Sequence, residues 1–331
     1  MLKIGLLGCG RIGQVHAASI AHLDGVALTA VADAFPEAAQ ALADKSGAKV
    51  MDADAVITSA DVDAIIIATP TDTHYGLIHA AARAGKAIFC EKPVDMSADR
   101  IRNCIKVVED TGVPFLTAFN RRFDPNFASL QARLAEGEIG TVELVTILSR
   151  DPAPPPVSYI ERSGGIFRDM MIHDFDMARF LLGEDPVQVF AVGSALVDPA
   201  IGAVGDVDTA AVTLTTASGA ICQITNSRRA AYGYDQRVEV HGSGGMLRAG
   251  NMMEHTVEVA NAAGFRTAPT QHFFLERYAQ AYRIELAQFA QTIAKGTAMT
   301  PGIVDGLKAQ MLADAAAQSL ETGLPVAVAA G

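Results

Sequence analysis

Two short segments carry side chains that could move a proton and stabilise a negatively charged oxygen. Lys92 follows directly after a predicted strand, where its ammonium could donate to a substrate oxygen and stabilise a developing alkoxide. Asp169 and His173 are four residues apart in a predicted helix, so the carboxylate could orient the imidazole as a general base. Spacing alone also fits a surface lysine and an ordinary helical ion pair.

A glycine-rich turn, G-C-G-R-I-G at residues 8–13, follows the first predicted strand and opens a predicted helix. Such glycines allow a tight turn and let a pyrophosphate approach the helix N-terminus. Asp33 lies 20 residues beyond Gly13 at the end of the next predicted strand, where its carboxylate would accept hydrogen bonds from an adenosine ribose. The pattern predicts NAD rather than NADP, because Asp33 would repel a 2'-phosphate, although Arg11 could partly offset that repulsion.

A polar turn, Thr69, Pro70 and Thr71, follows another predicted strand at residues 64–68. Ligands of open α/β sheets bind at the carboxyl ends of strands, so the two threonines could bond the ribose or phosphates of the cofactor. They could instead cap the helix that follows, and both roles can hold together.

The first third of the chain alternates short apolar runs with amphipathic stretches. The predicted strands cover residues 4–7, 27–32, 64–68, 87–90 and 115–119, and the predicted helices cover 12–22, 36–45, 73–84 and 97–110. Strands without polar alternation are buried on both faces, which indicates a parallel, doubly wound sheet of the Rossmann type. We therefore predict an NAD-binding domain over residues 1–120.

The remainder, residues 121–331, predicts an α+β domain with a large, mainly antiparallel, open sheet. Its predicted strands are 142–148, 187–197, 209–216, 220–227, 237–241 and 256–260, and its predicted helices are 125–136, 165–182, 273–294 and 302–320. Residues 151–163 are expected to form a proline-rich loop, and Asp174 and Asp176 a solvated or N-terminal acidic turn. The two terminal helices could pack on this sheet or on the first domain.

The composition excludes several classes of protein. A net charge of −11 over 331 residues disfavours nucleic acid and anionic membranes as partners. Half of the residues are hydrophobic and 19% are charged, as in folded globular proteins. The four cysteines are far apart, which predicts buried thiols rather than a zinc site or disulfides. Without a signal-like stretch or an apolar run of about 18 residues, we expect a cytoplasmic protein.

Together these motifs resemble the family of glucose-fructose oxidoreductase, inositol dehydrogenase and MocA proteins. The similarity covers essentially the whole chain, including E-K-P at residues 91–93 and D-x-x-x-H at 169–173. It implies an NAD-dependent enzyme that needs no metal, with Lys92, Asp169 and His173 as the catalytic set. The predicted cofactor-binding residues are Gly8, Gly10, Arg11, Ile12, Gly13, Asp33, Thr69, Pro70, Thr71, His74, Glu91, Lys92 and Asn120.

Within that family, the segments at 119–124, 149–152, 232–235 and 277–282 look like those of inositol 2-dehydrogenases. This resemblance implies that Asn120 neighbours both nicotinamide and substrate, and that Asp151 and Tyr234 bond ring hydroxyls, beside the three catalytic residues. Some inositol dehydrogenases have His in place of Ser149 and Thr in place of Met170. The preferred stereoisomer therefore stays open.

The resulting hypothesis is oxidation of one ring hydroxyl of myo- or scyllo-inositol to the ketone, with NAD as the acceptor and His173 as the base. An aldose 1-dehydrogenase that forms a lactone is the first alternative, because a pyranose presents a similar ring of hydroxyls. A non-catalytic NAD-binding sensor is the second. The open sheet and the family resemblance both predict a homo-oligomer, specifically a homotetramer.

Overall fold

The computed structural model describes residues 1–328 and divides into two compact units. The first contains residues 1–123 and 280–310, and the second contains residues 124–279 and those from 311 onward. The division thus falls three residues after the predicted boundary at 120. A second domain running unbroken over 121–331 is not observed, because residues 280–310 return to the first unit, as the sequence had left open for the terminal helices.

The first 123 residues form alternating strands and helices. These are β1 (Leu2–Leu7), α1 (Arg11–Ile20), β2 (Val26–Ala32), α2 (Pro36–Ser46), β3 (Lys49–Val50), α3 (Ala53–Thr58), β4 (Ala64–Ile67), α4 (Thr71–Arg83), β5 (Ala87–Cys90), α5 (Ala98–Thr111) and β6 (Phe115–Thr117), followed by a 3-10 turn (Asn120–Phe123). The six strands are parallel, in the order β3-β2-β1-β4-β5-β6. The predicted doubly wound parallel sheet is confirmed.

The order of the strands places three candidate turns at one edge of this sheet. β1, β4 and β5 are parallel neighbours, so their carboxyl ends lie side by side. The 8–13 turn follows β1, the turn at Thr69 and Pro70 follows β4, and the 91–93 turn follows β5. β4 and β5 are fully buried, which explains why their sequences show continuous apolar runs instead of alternation.

The rest of the chain is α+β. Its elements are α6 (Pro125–Ala135), β7 (Val142–Arg150), α7 (Val157–Ser163), α8 (Gly165–Asp169), α9 (Ile172–Leu182), β8 (Pro186–Ser194), α10 (Pro199–Ala203), β9 (Thr209–Thr216), β10 (Ile221–Ser227), β11 (Asp235–Gly242), β12 (Gly245–Ala249), β13 (Val259–Asn261), β14 (Gly264–Arg266), α11 (Phe274–Arg277), α12 (Ala279–Lys295), α13 (Ile303–Thr322) and β15 (Val326–Ala327). Seven strands make one sheet, ordered β12-β11-β7-β10-β9-β8-β15. β7 and β10 pair in parallel and the other neighbours pair antiparallel, which confirms the mainly antiparallel sheet.

The predicted helix over 165–182 is wrong in one respect: it is two helices. The amide of Met171 donates to the carbonyl of Ile166, five residues back, and the amide of Met170 donates to the same oxygen. This one-residue shift ends α8 at Asp169 and starts α9 at Ile172. Asp169 and His173 therefore do not share the face of one continuous helix.

Two other local predictions are corrected. The loop expected over 151–163 contains α7, because its prolines precede the helix and Pro156 occupies the N-cap position. The strand expected over 256–260 is reduced to β13, which pairs with β14 in a separate, exposed two-stranded sheet.

The apolar interior agrees with the composition. The four cysteines are buried, as predicted, and burial raises the pKa of the Cys104 thiol to about 12. Across residues 1–328, no helix combines the length and the apolar character that crossing a membrane requires.

Crowding of the backbone shapes the 8–13 turn. Gly8 has a φ of +95°, and a Cβ on it would lie 2.4 Å from the carbonyl oxygen of Ala68. A Cβ on Gly13 would lie 2.0 Å from the carbonyl oxygen of Gly8. Gly10 differs, because no atom lies within 4 Å of the place where its Cβ would be. The outer glycines are thus required by packing, and the central one leaves open space at the start of α1.

Replacing Gly13 by Ala should destabilise the protein by about 2 kcal/mol or more, because the rigid Gly8 carbonyl must move, and this outweighs the gain of about 1 kcal/mol in helix propensity. Urea denaturation measures the loss, with Gly10→Ala as the matched control that meets no atom. Equal stability of the two variants would contradict this interpretation of the turn.

Candidate active site

Asp33 is tied directly to the glycine-rich turn. Its Oδ2 accepts a hydrogen bond from the amide of Cys9 at 2.6 Å, and its Oδ1 accepts one from the amide of Phe35 at 2.8 Å. Burial, with the nearby Asp33 charge, raises the pKa of Cys9 to about 11, so this thiol stays protonated near neutral pH. The carboxylate is thus held at the end of β2, where the sequence predicted an acceptor for ribose hydroxyls.

These features fit the predicted dinucleotide. The N-terminus of α1 starts with Arg11 and Ile12 and has no side-chain cap, so its first amides can bond a phosphate in the open space beside Gly10. At the end of β2, the strand beside β1, the Asp33 carboxylate can accept hydrogen bonds from the two hydroxyls of a ribose.

A buried histidine lies between the turn after β4 and the turn after β5, and in its neutral form its single N–H can donate to one of them. His74 is buried, with its Nε2 2.9 Å from the Thr69 carbonyl oxygen and its Nδ1 3.0 Å from the Pro93 carbonyl oxygen. Burial lowers the pKa of His74, which favours the neutral ring. The structure thus places His74 as a link between the two turns, and its predicted contact with the cofactor stays a prediction.

The threonines of the first of these turns are not helix caps. Pro70 occupies the N-cap position of α4, which has no side-chain cap, and Thr71 is the first helical residue. The hydroxyl of Thr69 lies 2.6 Å from that of Thr73. The capping interpretation is therefore wrong, and the hydroxyls of Thr69 and Thr71 stay candidates for the cofactor.

Lys92 lies in a turn whose neighbours are fixed. Glu91 places Oε1 2.7 Å from Nε2 of His16 and accepts a hydrogen bond from the Lys92 amide at 3.3 Å through Oε2. The Lys92–Pro93 peptide bond is cis. Asn120 is buried and begins the 3-10 turn after β6, the strand beside β5, so Lys92 and Asn120 follow adjacent strand ends.

In the second unit, Asp169 is held by two residues that the sequence did not single out. Its Oδ1 accepts a hydrogen bond from the Tyr159 hydroxyl at 2.9 Å, and its Oδ2 lies 3.4 Å from the Arg228 guanidinium, which is buried. Tyr159 belongs to α7, which was predicted as a loop. Arg228 follows β10, so only the fold brings it to Asp169, 59 positions away in the chain.

His173 is the second residue of α9, whose first turn is anchored by its neighbour Asp174. The Asp174 carboxylate accepts hydrogen bonds from the hydroxyl of Ser149 at 2.6 Å and from the side-chain amide of Asn226 at 2.9 Å. Ser149 and Asn226 face each other on β7 and β10. Asp174 and Asp176 are buried, so the solvated alternative is wrong, while Asp174 does lie in the N-terminal turn of α9. A charge pattern alone does not reveal such partners from distant strands.

The predicted polyol contacts lie at one end of the larger sheet. Asp151 follows β7, Tyr234 precedes β11 and Arg228 follows β10, and these three strands are neighbours in register at that end. Tyr234 is buried, with its ring edge-on to Tyr278. Asp151 and Tyr234 thus lie at the same end of the sheet as Arg228, which contacts Asp169.

Comparison with known proteins shows similarity along the whole chain. A family model described as an oxidoreductase family with an NAD-binding Rossmann fold matches residues 2–119, and a GFO/IDH/MocA C-terminal domain matches residues 127–248. The inositol 2-dehydrogenase of Rhizobium meliloti is 53% identical over 99% of both chains. The myo-inositol 2-dehydrogenase of Thermotoga maritima is 44% identical, over 97% of this chain and 96% of its own.

A solved structure agrees with these relatives. The scyllo-inositol dehydrogenase of Lactobacillus casei, crystallised with NAD(H) and scyllo-inositol, is 30% identical and gives a TM-score of 0.93 over 100% of both chains. The predicted family and the predicted NAD-binding Rossmann fold are confirmed. The chain belongs to the GFO/IDH/MocA family of oxidoreductases.

Proposed function

We propose that this protein is an inositol 2-dehydrogenase that oxidises one ring hydroxyl of myo- or scyllo-inositol to the ketone. The observation that carries the proposal is the 53% identity, over 99% of both chains, to a protein named inositol 2-dehydrogenase. A relative crystallised with NAD(H) and scyllo-inositol supports the same cofactor and substrate class. We place the reaction in the cytoplasm, as a step of inositol breakdown, which agrees with the acceptor NAD.

In the proposed mechanism, each catalytic side chain acts on the reacting hydroxyl. His173 takes the hydroxyl proton, Asp169 orients His173, and Lys92 donates a hydrogen bond to the oxygen as negative charge develops. The break between α8 and α9 means that Asp169 and His173 do not pair along one helical face, so this role of Asp169 rests on the family resemblance. Tyr159 and Arg228 fix its carboxylate. Bound NAD supplies the carbon that accepts the hydride.

A neutral polyol agrees with the chemistry of the side chains predicted to bind it. Asn120, Asp151 and Tyr234 offer donors and acceptors for hydroxyls. Arg228 is already engaged with Asp169, so it does not offer a free clamp for a carboxylate or phosphate. The aldose dehydrogenase and the NAD-binding sensor are less favoured alternatives, since the relatives compared above are named inositol dehydrogenases.

A substrate panel combined with one variant tests this proposal. The wild-type protein with NAD should oxidise an inositol with a higher kcat/KM than any hexose. His173→Ala should lower kcat by about 10² to 10⁴, because the hydroxyl proton loses its acceptor. His255→Ala, at an exposed histidine of the same unit, is the control. Unchanged turnover in His173→Ala would remove this residue from the role of base, and a preferred aldose would reverse the choice of substrate.

The preference between NAD and NADP depends on one negative charge. Asp33→Ser removes the carboxylate that would repel a 2'-phosphate, so the ratio of kcat/KM for NADP to that for NAD should rise by about tenfold or more. Steady-state kinetics with both cofactors measures this ratio, and Asp24→Ser, an exposed position in the same unit, serves as the control. An unchanged ratio would show that Asp33 does not face the adenosine ribose.

The outward face of the larger sheet supports our proposal of a homotetramer. Apolar side chains on three of its strands, β7, β8 and β10, are 36% to 51% exposed: Leu144, Phe190, Val192 and Ile221. Exposed apolar side chains on one sheet face favour a protein interface, and most assemblies of identical chains are symmetric. The same face of a second copy would cover it.

Val192→Glu should break up the proposed tetramer, because symmetry places the introduced charges against an apolar partner face. Light scattering should give about four times the 34.7-kDa chain mass for the wild type and a smaller particle for the variant. Val257→Glu, at an exposed position outside the seven-stranded sheet, should leave the particle unchanged. A wild-type particle of one chain mass at micromolar concentration would contradict the proposal.

A further inference from the structure

A second buried histidine lies beside Lys92 and has no part in the mechanism above. His16 is on α1, three residues beyond Gly13, and its side chain is 0% exposed. Its Nε2 lies 2.7 Å from Oε1 of Glu91. The ring packs edge-on against Phe89 at 4.9 Å and Tyr282 at 5.9 Å between centroids. The imidazole is therefore held firmly in one orientation.

The contact with Glu91 assigns the proton of this ring. An ionised carboxylate only accepts hydrogen bonds, so Nε2 of His16 carries the hydrogen and donates it. Nδ1 is buried and has no hydrogen-bond partner among residues 1–328. Leaving a polar atom without a partner in the interior is costly, and an apolar side chain of similar volume would pack there without that cost. Packing alone therefore does not explain a histidine at this position.

What the histidine provides is a fixed position for the turn that carries Lys92. Through its other oxygen, Glu91 accepts a hydrogen bond from the Lys92 amide at 3.3 Å. On the far side of Lys92, the carbonyl of Pro93 faces His74 of α4 at 3.0 Å. The turn thus lies between two buried imidazoles, and His16, on the helix that begins at the glycine-rich turn, contacts its Glu91 side chain.

We propose that His16 is a positioning residue that fixes the Glu91 carboxylate and, through it, the direction of the Lys92 ammonium. The role of Lys92 in this inference rests on the proposed function. His16 connects the helix of the glycine-rich turn to the side chain that stabilises the reacting oxygen. Its loss should impair the chemical step more than the binding of NAD.

Two substitutions distinguish the effect of the hydrogen-bond donor of His16 from the effect of its volume. His16→Met removes the donor at similar size, and His16→Gln keeps an amide donor near the position of Nε2. We expect kcat for inositol oxidation to fall about 10- to 100-fold in His16→Met, as for the loss of one hydrogen bond to a charged group. His16→Gln should recover part of this loss. The Kd of NAD, measured by calorimetry, should change by less than about threefold, which is under 1 kcal/mol. His22→Gln, just beyond the same helix, is the control.

A double-mutant cycle tests whether His16 acts through Glu91. Glu91→Gln should also lower kcat, and His16→Met with Glu91→Gln should be no slower than the slower single variant. Additive losses would overturn the proposal, and so would an unchanged kcat in folded His16→Met. If His16→Met does not fold by thermal melting, Glu91→Gln alone carries the test, and an unchanged kcat in folded Glu91→Gln would overturn the proposal.

A readout without turnover separates this inference from the proposed function. Acetic anhydride labelling of the cofactor-free protein, followed by mass spectrometry, reports the accessibility and reactivity of each lysine. The labelling rate of Lys92 should change several-fold in His16→Met, with Lys3 unchanged as the internal control. A wild type without activity on any inositol would refute the proposed function, while an unchanged Lys92 rate would refute the positioning role of His16.

Discussion

The close approach of the Gly8 carbonyl to Gly13 is the constraint that shapes the predicted NAD-binding end of the parallel sheet. Only a residue without Cβ fits at Gly13, and this lets α1 start directly against the end of β1. The same geometry leaves the start of α1 open beside Gly10 and places the Cys9 amide on the Asp33 carboxylate. About one turn further along α1, His16 contacts Glu91. The predicted positions for the phosphate and the ribose, and the turn that carries Lys92, are thus all fixed relative to α1.

The second unit fixes two carboxylates close in sequence to the proposed base: Asp174, which is buried, and Asp169, which is partly buried. Asp174 accepts hydrogen bonds from Ser149 and Asn226, on two paired strands, and so fixes the first turn of α9. Asp169 is held by Tyr159 and Arg228 from two other elements. Buried charge is costly unless it is partnered, so these contacts define the positions of the chain on both sides of the helix break.

Capping residues and apolar runs predicted those helices and strands that are determined by their own local sequence. Ser97 accepts a hydrogen bond from the Arg100 amide as the N-cap of α5, and Gly112 ends that helix with a φ of +68°. The buried runs of β4 and β5 were equally clear. The break at Met170 and Met171 was not, because apolar residues continue across it and only the backbone register changes.

The site was predictable only where a residue's own neighbours define it. The glycine-rich turn and Asp33 are separated by a fixed βαβ spacing, which a sequence displays. The partners of Asp169, Asp174 and Glu91 come from elements far along the chain, and no spacing rule links Arg228 to Asp169. Burial of Asp174 follows from the register of distant strands, and that register is a property of the folded sheet.

Direct transfer of a carbon-bound hydrogen to NAD is the chemistry that we propose these positions serve. The most direct measurement uses myo- or scyllo-inositol deuterated at its ring carbons, with mass spectrometry of the nicotinamide product. Hydride transfer predicts that the reduced cofactor carries deuterium and that turnover with the labelled polyol is no faster than with the unlabelled one. Reduced cofactor without deuterium, or no reduction with any inositol, would contradict it.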